Sequence, residues 1–344
     1  MLEIKHTLCP SCSVGCGLNV IIDNGEIVGT FPYKRHPVNA GKNCLNGRNS
    51  IESYQNKFKK AIVSKSETDV DKAISEVLKE LNSADNSDVT IICSGNNDIE
   101  EIKAIKEFGE SKNYNIAFYA DNLKDFSDVA SYDEIANADK VFVIGDLLYE
   151  NPLIGRRIVH AKQNNAKIYA LDKNENSITF NIADEISNST VQEFLDNNAS
   201  NIDDNSLIVF NYVDSQDDLD KIESLNCKCL PVFSKSNSKG TLSIIESKSL
   251  DEMIDLLDNT KVLLVFNDDI ANEIDFDFGK ISKIISFAPS SNKTTEISDI
   301  IIPTKTWLEK DGSFVNAMGE TQMFTAAIES DALSEIEIIE KLNG

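Results

Sequence analysis

The sequence predicts an α/β protein, with a small β domain at the N-terminus followed by more than one parallel sheet covered by helices. Three observations carry this. From about residue 53 onward, short apolar runs alternate with helical stretches. Before that point, an Asn24-Gly25 pair sits between two strand-like segments, which is the signature of a tight hairpin. Finally, no run of about 18 apolar residues occurs, so no segment is expected to span a membrane.

The hairpin comes first. Leu18-Asn-Val-Ile-Ile-Asp and Glu26-Ile-Val-Gly flank Asn24-Gly25, and a two-residue turn of this kind needs φ > 0 at both positions. Residues 1–52 are therefore expected to form the small β domain. Pro32 to Gly41 is a turn-rich loop. Beyond it, Asp69 to Leu81 has helical periodicity. The apolar runs Val89–Ser94, Val141–Gly145, Ala166–Asp172, Leu207–Phe210 and Val262–Phe266 suit strands buried on both faces. Strand and helix in repetition means parallel sheets, and this many units need more than one.

The chain of 344 residues has room for two or three domains. It carries 33 basic against 57 acidic side chains, a net charge of −24. That balance argues against nucleic acid and anionic membrane as partners. Met1-Leu-Glu-Ile-Lys lacks the charged and apolar regions of a signal peptide, so the cytoplasm is the expected compartment. There cysteines stay reduced and free to hold metal.

Cys9, Cys12 and Cys16 are spaced C-x2-C-x3-C, and Cys44 returns from a distance. Three ligands crowded on one loop plus a lone fourth suit a [4Fe-4S] cluster, whose irons each need one thiolate. Gly15 and Gly17 flank the third ligand, where the backbone must bend closely round a cluster. Zinc is the rival, although zinc ribbons usually present two separate C-x2-C pairs. Cysteines that merely pack are the third possibility. Cys93 lies inside an apolar strand and reads as core. Cys227 and Cys229 are one residue apart at a strand edge and read as structural. His6, His36 and His160 show no pairing that suggests acid–base work.

The block Cys9 to Arg48, with Pro32-Tyr-Lys-Arg-His-Pro-Val-Asn-Ala-Gly-Lys inside it, resembles the start of molybdopterin (bis-guanine-dinucleotide) oxidoreductases, above all formate dehydrogenase α subunits. A second match is Ser298 to Gln322, similar to that family's A-D-x-x-L-P … E-K-D-G-T-F-x-N … G-R-x-Q segment. Ala138-Asp139 with the following strand, Gly155-Arg-Arg-Ile-Val-His and Ala166 to Asp172 follow the family's order. Leu230 to Gly240 is similar to the large iron–sulfur subunit of NADH–quinone oxidoreductases. The resemblance implies a cluster domain at 1–52, a Rossmann-like domain II at 53–135 and 255–344, and a Rossmann-like domain III at 136–254 inserted in it. It also implies a fourth domain, a barrel closing over the pterins, beyond residue 344. In formylmethanofuran dehydrogenases that barrel is a separate subunit.

The family's pterin motifs are altered here. A lysine two residues after the fourth cysteine is replaced by Asn46, which supplies neither its charge nor its reach. The family's G-x-N and His-Pro become Gly145-Asp146-Leu147 and Asn151-Pro152, and its arginine after the next strand becomes Lys173-Asn174. G-R-x-Q becomes Gly319-Glu320-Thr321-Gln322. Asp146 and Glu320 would repel a pyrophosphate. The family's cysteine or selenocysteine metal ligand has no counterpart in Ala117 to Ser127.

The expectation is an electron-relay subunit with one [4Fe-4S] cluster on Cys9, Cys12, Cys16 and Cys44, and with molybdenum or tungsten bis-pterin unlikely. Lys42 and Arg48 are candidates for tuning the cluster, with surface solvation as the bland reading. Partner iron–sulfur or flavin subunits are implied, and a separate barrel subunit is a further candidate. Two rivals stand beside it. One is a catalytic molybdenum or tungsten oxidoreductase acting on formate or a related C1 substrate; the other is a non-redox scaffold in which the cluster only folds the first domain.

Overall fold

A computed structural model describes residues 1–344. Its N-terminal part is a three-stranded antiparallel sheet of Leu2–Leu8, Gly17–Asp23 and Glu26–Pro32. The hairpin turns where the sequence places it, with φ of 51° at Asn24 and 84° at Gly25. The edge strand Leu2–Leu8 was not legible, because five of its seven residues are exposed and it has no buried alternation. One face of the sheet, with Val20, Ile22 and Ile27, packs on Trp307, Leu308, Phe314 and Phe324 from the far end of the chain. The Trp307 indole N–H donates to the Leu8 carbonyl at 3.0 Å, so a buried polar group is satisfied across that contact.

Two larger sheets follow. The first has seven strands in the order Ser66–Thr68, Ala61–Val63, Ile300–Ile302, Lys283–Phe287, Val262–Phe266, Val89–Cys93, Asn115–Phe118. The last five are mutually parallel, and the first two form an antiparallel hairpin at one edge. The second sheet has five parallel strands, Glu185–Ser187, Lys167–Leu171, Lys140–Ile144, Ser206–Phe210 and Lys228–Pro231. The central strands of both are wholly buried, which is why they read as continuous apolar runs. Aromatic pairs fill the inter-strand space, Phe266 on Phe287 at 4.3 Å and Phe142 on Tyr169 at 4.5 Å between centroids.

The Val89–Cys93 strand pairs with Val262–Phe266, so the seven-stranded sheet is completed only after the five-stranded one has been made. Val129 bridges to Cys229, and the Asn237 N–H donates to the Gly95 carbonyl at 2.7 Å. Asn237 then stitches the returning chain in place: its amide donates to the Asn97 carbonyl and its oxygen accepts from the Val315 N–H, both at 2.8 Å. Such linkers have no hydrophobic period, so the sequence gives no edge to read. Cys93 is fully buried, with its thiol on the Ala117 carbonyl at 3.3 Å. Cys229 lies on an edge strand and Cys227 just before it.

Candidate metal centre

The loop from Cys9 to Cys16 closes on itself through the Cys9 N–H, which donates to the Cys16 carbonyl at 2.8 Å. Gly15 has φ +74°, and a Cβ there would fall 2.1 Å from the Gln322 side-chain oxygen. Glycine is needed at that point for both reasons. At Gly17 a Cβ would lie 2.4 Å from the His36 ring.

Both larger lobes grip this loop. Ser13 donates its N–H to the Phe233 carbonyl and accepts the Phe233 N–H on its hydroxyl, at 3.1 and 2.8 Å. Its carbonyl accepts from Ala317 at 2.7 Å. The Gly15 carbonyl accepts from the Gln322 amide at 3.2 Å, and the Val14 carbonyl from the Tyr132 hydroxyl at 2.9 Å. The fourth cysteine is positioned separately. The Asn39 side chain bonds the Gly17 N–H, the Gly17 carbonyl and the Lys42 carbonyl at 2.9, 3.0 and 2.6 Å. That clamp ties the turn-rich loop to the cysteine loop, and Cys44 then opens the short helix Leu45–Asn49.

Cys9, Cys12, Cys16 and Cys44 line one tight cavity, together with Val14, Asn43 and Asn151. No three His, Cys, Asp or Glu side chains converge closely enough for a single metal ion. Four thiols spread around a shared space suit a polynuclear group better than one ion. Burial pushes the Cys9 thiol up, Cys12 to about 12 and Cys16 well up, with neighbouring thiols adding to the effect. Arg157 opposes it at Cys16. This guanidinium donates to the Val38 and Leu153 carbonyls at 2.5 and 2.9 Å and lies 4.9 Å over the Tyr132 ring.

Arg157 is the residue that sequence reasoning missed. Lys42 and Arg48 lie on the same loop-and-helix unit as Cys44 but are exposed, with Arg48 on the Asn43 side-chain oxygen at 3.4 Å. Asn46 is exposed and its carbonyl accepts from Ser11. His6 stacks on Tyr33 at 4.1 Å and bonds Asn19, and His160 is exposed on a helix.

Two crevices meet at Asn46, each at the point where strand order reverses in a parallel sheet. The crevice over the five-stranded sheet, about 880 Å³, is lined by Cys12, Cys44, Tyr149, Glu150, Asn211 and Ser234 among others, and by no Lys or Arg. The polar groups behind it are bonded to one another. Asp146 accepts from the Ile178 N–H, the Thr179 N–H and the Thr179 hydroxyl at 2.8, 3.0 and 3.0 Å. Asn211 bonds Glu150 and Asn151, and its oxygen occupies the place a Cβ on Gly145 would take. Lys173 is paired with Asp214. The other crevice, about 970 Å³, is lined by Ser11, Asn46, Asn96, Asn267, Ser290 and Lys310 among others. Lys310, its one cation, is committed to the buried carboxylates Asp98, Glu101 and Glu335. Glu320 bonds the Asn316 amide at 3.2 Å. The lining of the five-stranded crevice does not fit a pyrophosphate, since it presents the Glu150 carboxylate and no cation.

Among solved structures, acetylene hydratase from Pelobacter acetylenicus superposes with a TM-score of 0.65 at 12% identity, over 98% of this chain and 68% of that one. A chain of the formyltransferase/hydrolase complex from Methylorubrum extorquens gives 0.59 at 11% identity, over 82% and 97%. These likenesses show the fold. The F420-dependent formate dehydrogenase 1 subunit alpha of Methanococcus maripaludis is 30% identical over 192 residues, half of this chain. The corresponding alpha subunit of Methanocaldococcus jannaschii is 31% identical over 192 residues. In both cases the match spans 28% of the relative's own length. The molybdopterin oxidoreductase Fe4S4 domain matches residues 2–56, and the molybdopterin oxidoreductase domain matches residues 189–342. With a molybdopterin oxidoreductase Fe4S4 domain at one end, a molybdopterin oxidoreductase domain at the other and similarity to formate dehydrogenase alpha subunits, the chain carries two domains of the molybdopterin oxidoreductase family.

Proposed function

We propose that the chain is an electron-relay subunit, holding one [4Fe-4S] cluster on Cys9, Cys12, Cys16 and Cys44 and no molybdenum or tungsten pterin. One observation carries this reading: the four thiols share a single cavity, while the crevices beside it have no free cation for a dinucleotide. When bound, the cluster supplies one-electron transfer. The chain's own contribution is to bury that charge, to grip the loop from both lobes and to set one guanidinium, Arg157, behind Cys16. Zinc is the weaker alternative, because the thiols do not converge on a point. A three-domain division accompanies this reading, with crossings near Val129 and Asn237, as does a cytoplasmic location with iron–sulfur or flavin subunits on either side. No helix is long and apolar enough to cross a membrane.

A second reading is a molybdenum or tungsten oxidoreductase of the formate dehydrogenase or formylmethanofuran dehydrogenase type, with its barrel on another subunit. It is supported by the molybdopterin domain match over 189–342 and by the open, amide-lined crevice at Asn96 and Asn267. Anaerobic purification with quantification of iron, molybdenum, tungsten and pterin tests the choice. About four irons per chain without the heavier metals or pterin is the result expected from one cubane. Molybdenum or tungsten with pterin would replace the relay by the enzyme.

A further inference from the structure

The negative charge of the chain is unevenly distributed. Residues 1–65 carry nine basic and four acidic side chains, whereas residues 66–344 carry 24 basic and 53 acidic ones. Within residues 1–65 the ion pairs are those of the N-terminus, Lys57 and Lys60. Lys34, Arg35, Lys42 and Arg48 are all exposed and have no carboxylate partner.

These four cations belong to one unit, the loop and short helix from Tyr33 to Asn49 that delivers Cys44. The Lys34 Cα packs so closely on Gly41 that a Cβ there would lie 3.2 Å from it, and the Lys42 N–H donates to Asn39 at 2.9 Å. Arg48 reaches Asn43 from the helix, and Arg157 supports the loop from beneath at Val38. Two carboxylates come near, Glu320 beside His36 and Glu150 in the crevice by Cys44, and each is bonded to an amide. Leu45, next to the cysteine, is 68% exposed. The cluster cavity opens on this side, since Cys12 and Cys44 are partly exposed while Cys9 and Cys16 are buried.

We infer that the Lys34–Arg48 unit is the docking surface for a redox protein with an acidic face, which exchanges electrons with the cluster across its Cys44 edge; this rests on the relay reading above. The physical reason is orientation. An acidic partner is repelled by the rest of the chain and attracted only where unpaired cations gather, so the long-range field steers it to the exposed side of the cluster. Leu45 supplies an apolar contact at the centre of a charged rim, the usual arrangement of a transient interface. An extended anionic polymer would overrun the patch onto the acidic lobes.

The test uses the cluster-loaded full chain in anaerobic stopped flow, with a reduced, acidic plant-type [2Fe-2S] ferredoxin as one reductant and reduced methyl viologen, a cation, as the other. Lys42→Glu with Arg48→Glu, and Lys34→Glu with Arg35→Glu, are compared with Lys103→Glu on a distant helix. The ferredoxin rate is expected to fall roughly tenfold in each loop variant at low salt, to converge at high salt and to stay unchanged in Lys103→Glu. The viologen rate should not fall. Loop variants that behave like Lys103→Glu towards ferredoxin, while viologen still reduces the cluster, overturn the docking surface alone. A cluster that viologen cannot reduce overturns this inference and the relay reading together. Loss of single-stranded RNA binding in the variants without a change in ferredoxin rate also overturns it.

Discussion

The Tyr132 hydroxyl donates to the Val14 carbonyl at 2.9 Å, tying the first helix of the five-stranded lobe to the middle of the cysteine loop. Tyr132 is almost wholly buried, and its ring also carries the Arg157 guanidinium. One side chain thus fixes the loop and seats the cation behind it.

Tyr132→Phe keeps the ring and removes the donor. The Val14 carbonyl then loses a buried partner, which costs about 1–3 kcal/mol. A lower melting temperature is expected, together with faster loss of the cluster's visible absorbance to an iron chelator. An unchanged value for both would remove Tyr132 from the support of the loop.

Arg157 places a positive charge beside Cys16, on the buried side of the site. Arg157→Met removes that charge, so reduction of the cluster becomes harder. The midpoint potential should move negative by roughly tens of millivolts, as expected for one charge at close range. Redox titration followed by electron paramagnetic resonance reads it directly. A potential that stays put means that Arg157 only holds Val38 and Leu153.

The carboxylate of Asp146 satisfies three donors of the Ile178–Thr179 turn. Asp146→Ala should destabilise the chain by about 1–3 kcal/mol in denaturant unfolding, because those donors lose their partner. Guanosine diphosphate at millimolar concentration is not expected to raise the melting temperature of the unsubstituted chain. A clear rise would restore a nucleotide to the crevice.

Lys310 faces three buried carboxylates, and one ammonium cannot neutralise all of them. Burial, then Glu335, raises Glu101 from 4.5 to about 8, and burial, then Glu101, raises Asp98 from 3.8 to about 6. A carboxyl with a raised pKa keeps its proton in the folded state after the unfolded chain has lost it. Stability therefore falls as pH rises, for Glu101 across the span from 4.5 to about 8. Glu273, raised to about 8 in the same way, adds the same sign. Lys310, raised by its partners, stays charged in both states throughout this window and adds no slope. Glu101→Gln should flatten the decline between pH 6 and 8, by up to about 1.4 kcal/mol per pH unit. Parallel curves for the two proteins would mean that Glu101 does not titrate there.

Much of the site could be read before the fold was known. The spacing of Cys9, Cys12 and Cys16 is local, so the loop that joins them cannot carry them far apart. The Asn24-Gly25 turn was equally local, and the strands at Val89, Val141 and Val262 announced themselves because both faces are buried. Arg157 and Tyr132 gave no such signal. Each is an ordinary residue on a helix, and only the packing of the five-stranded lobe against the cysteine loop brings it to the thiols. Gln322 belongs to a sequence motif, but its hold on Gly15 spans 307 positions in the chain. Asp146 reads in sequence as an acidic residue in a phosphate motif, and only the fold shows the N–H groups it occupies.

By itself the order of residues determined the close spacing of Cys9, Cys12 and Cys16 and the alternation of strand and helix, because these are matters of short spacing and composition. Tertiary structure alone decided how the lobes close on the cysteine loop, which guanidinium stands behind it and which crevices hold no free cation. Those outcomes depend on contacts between residues hundreds of positions apart, which no local period encodes.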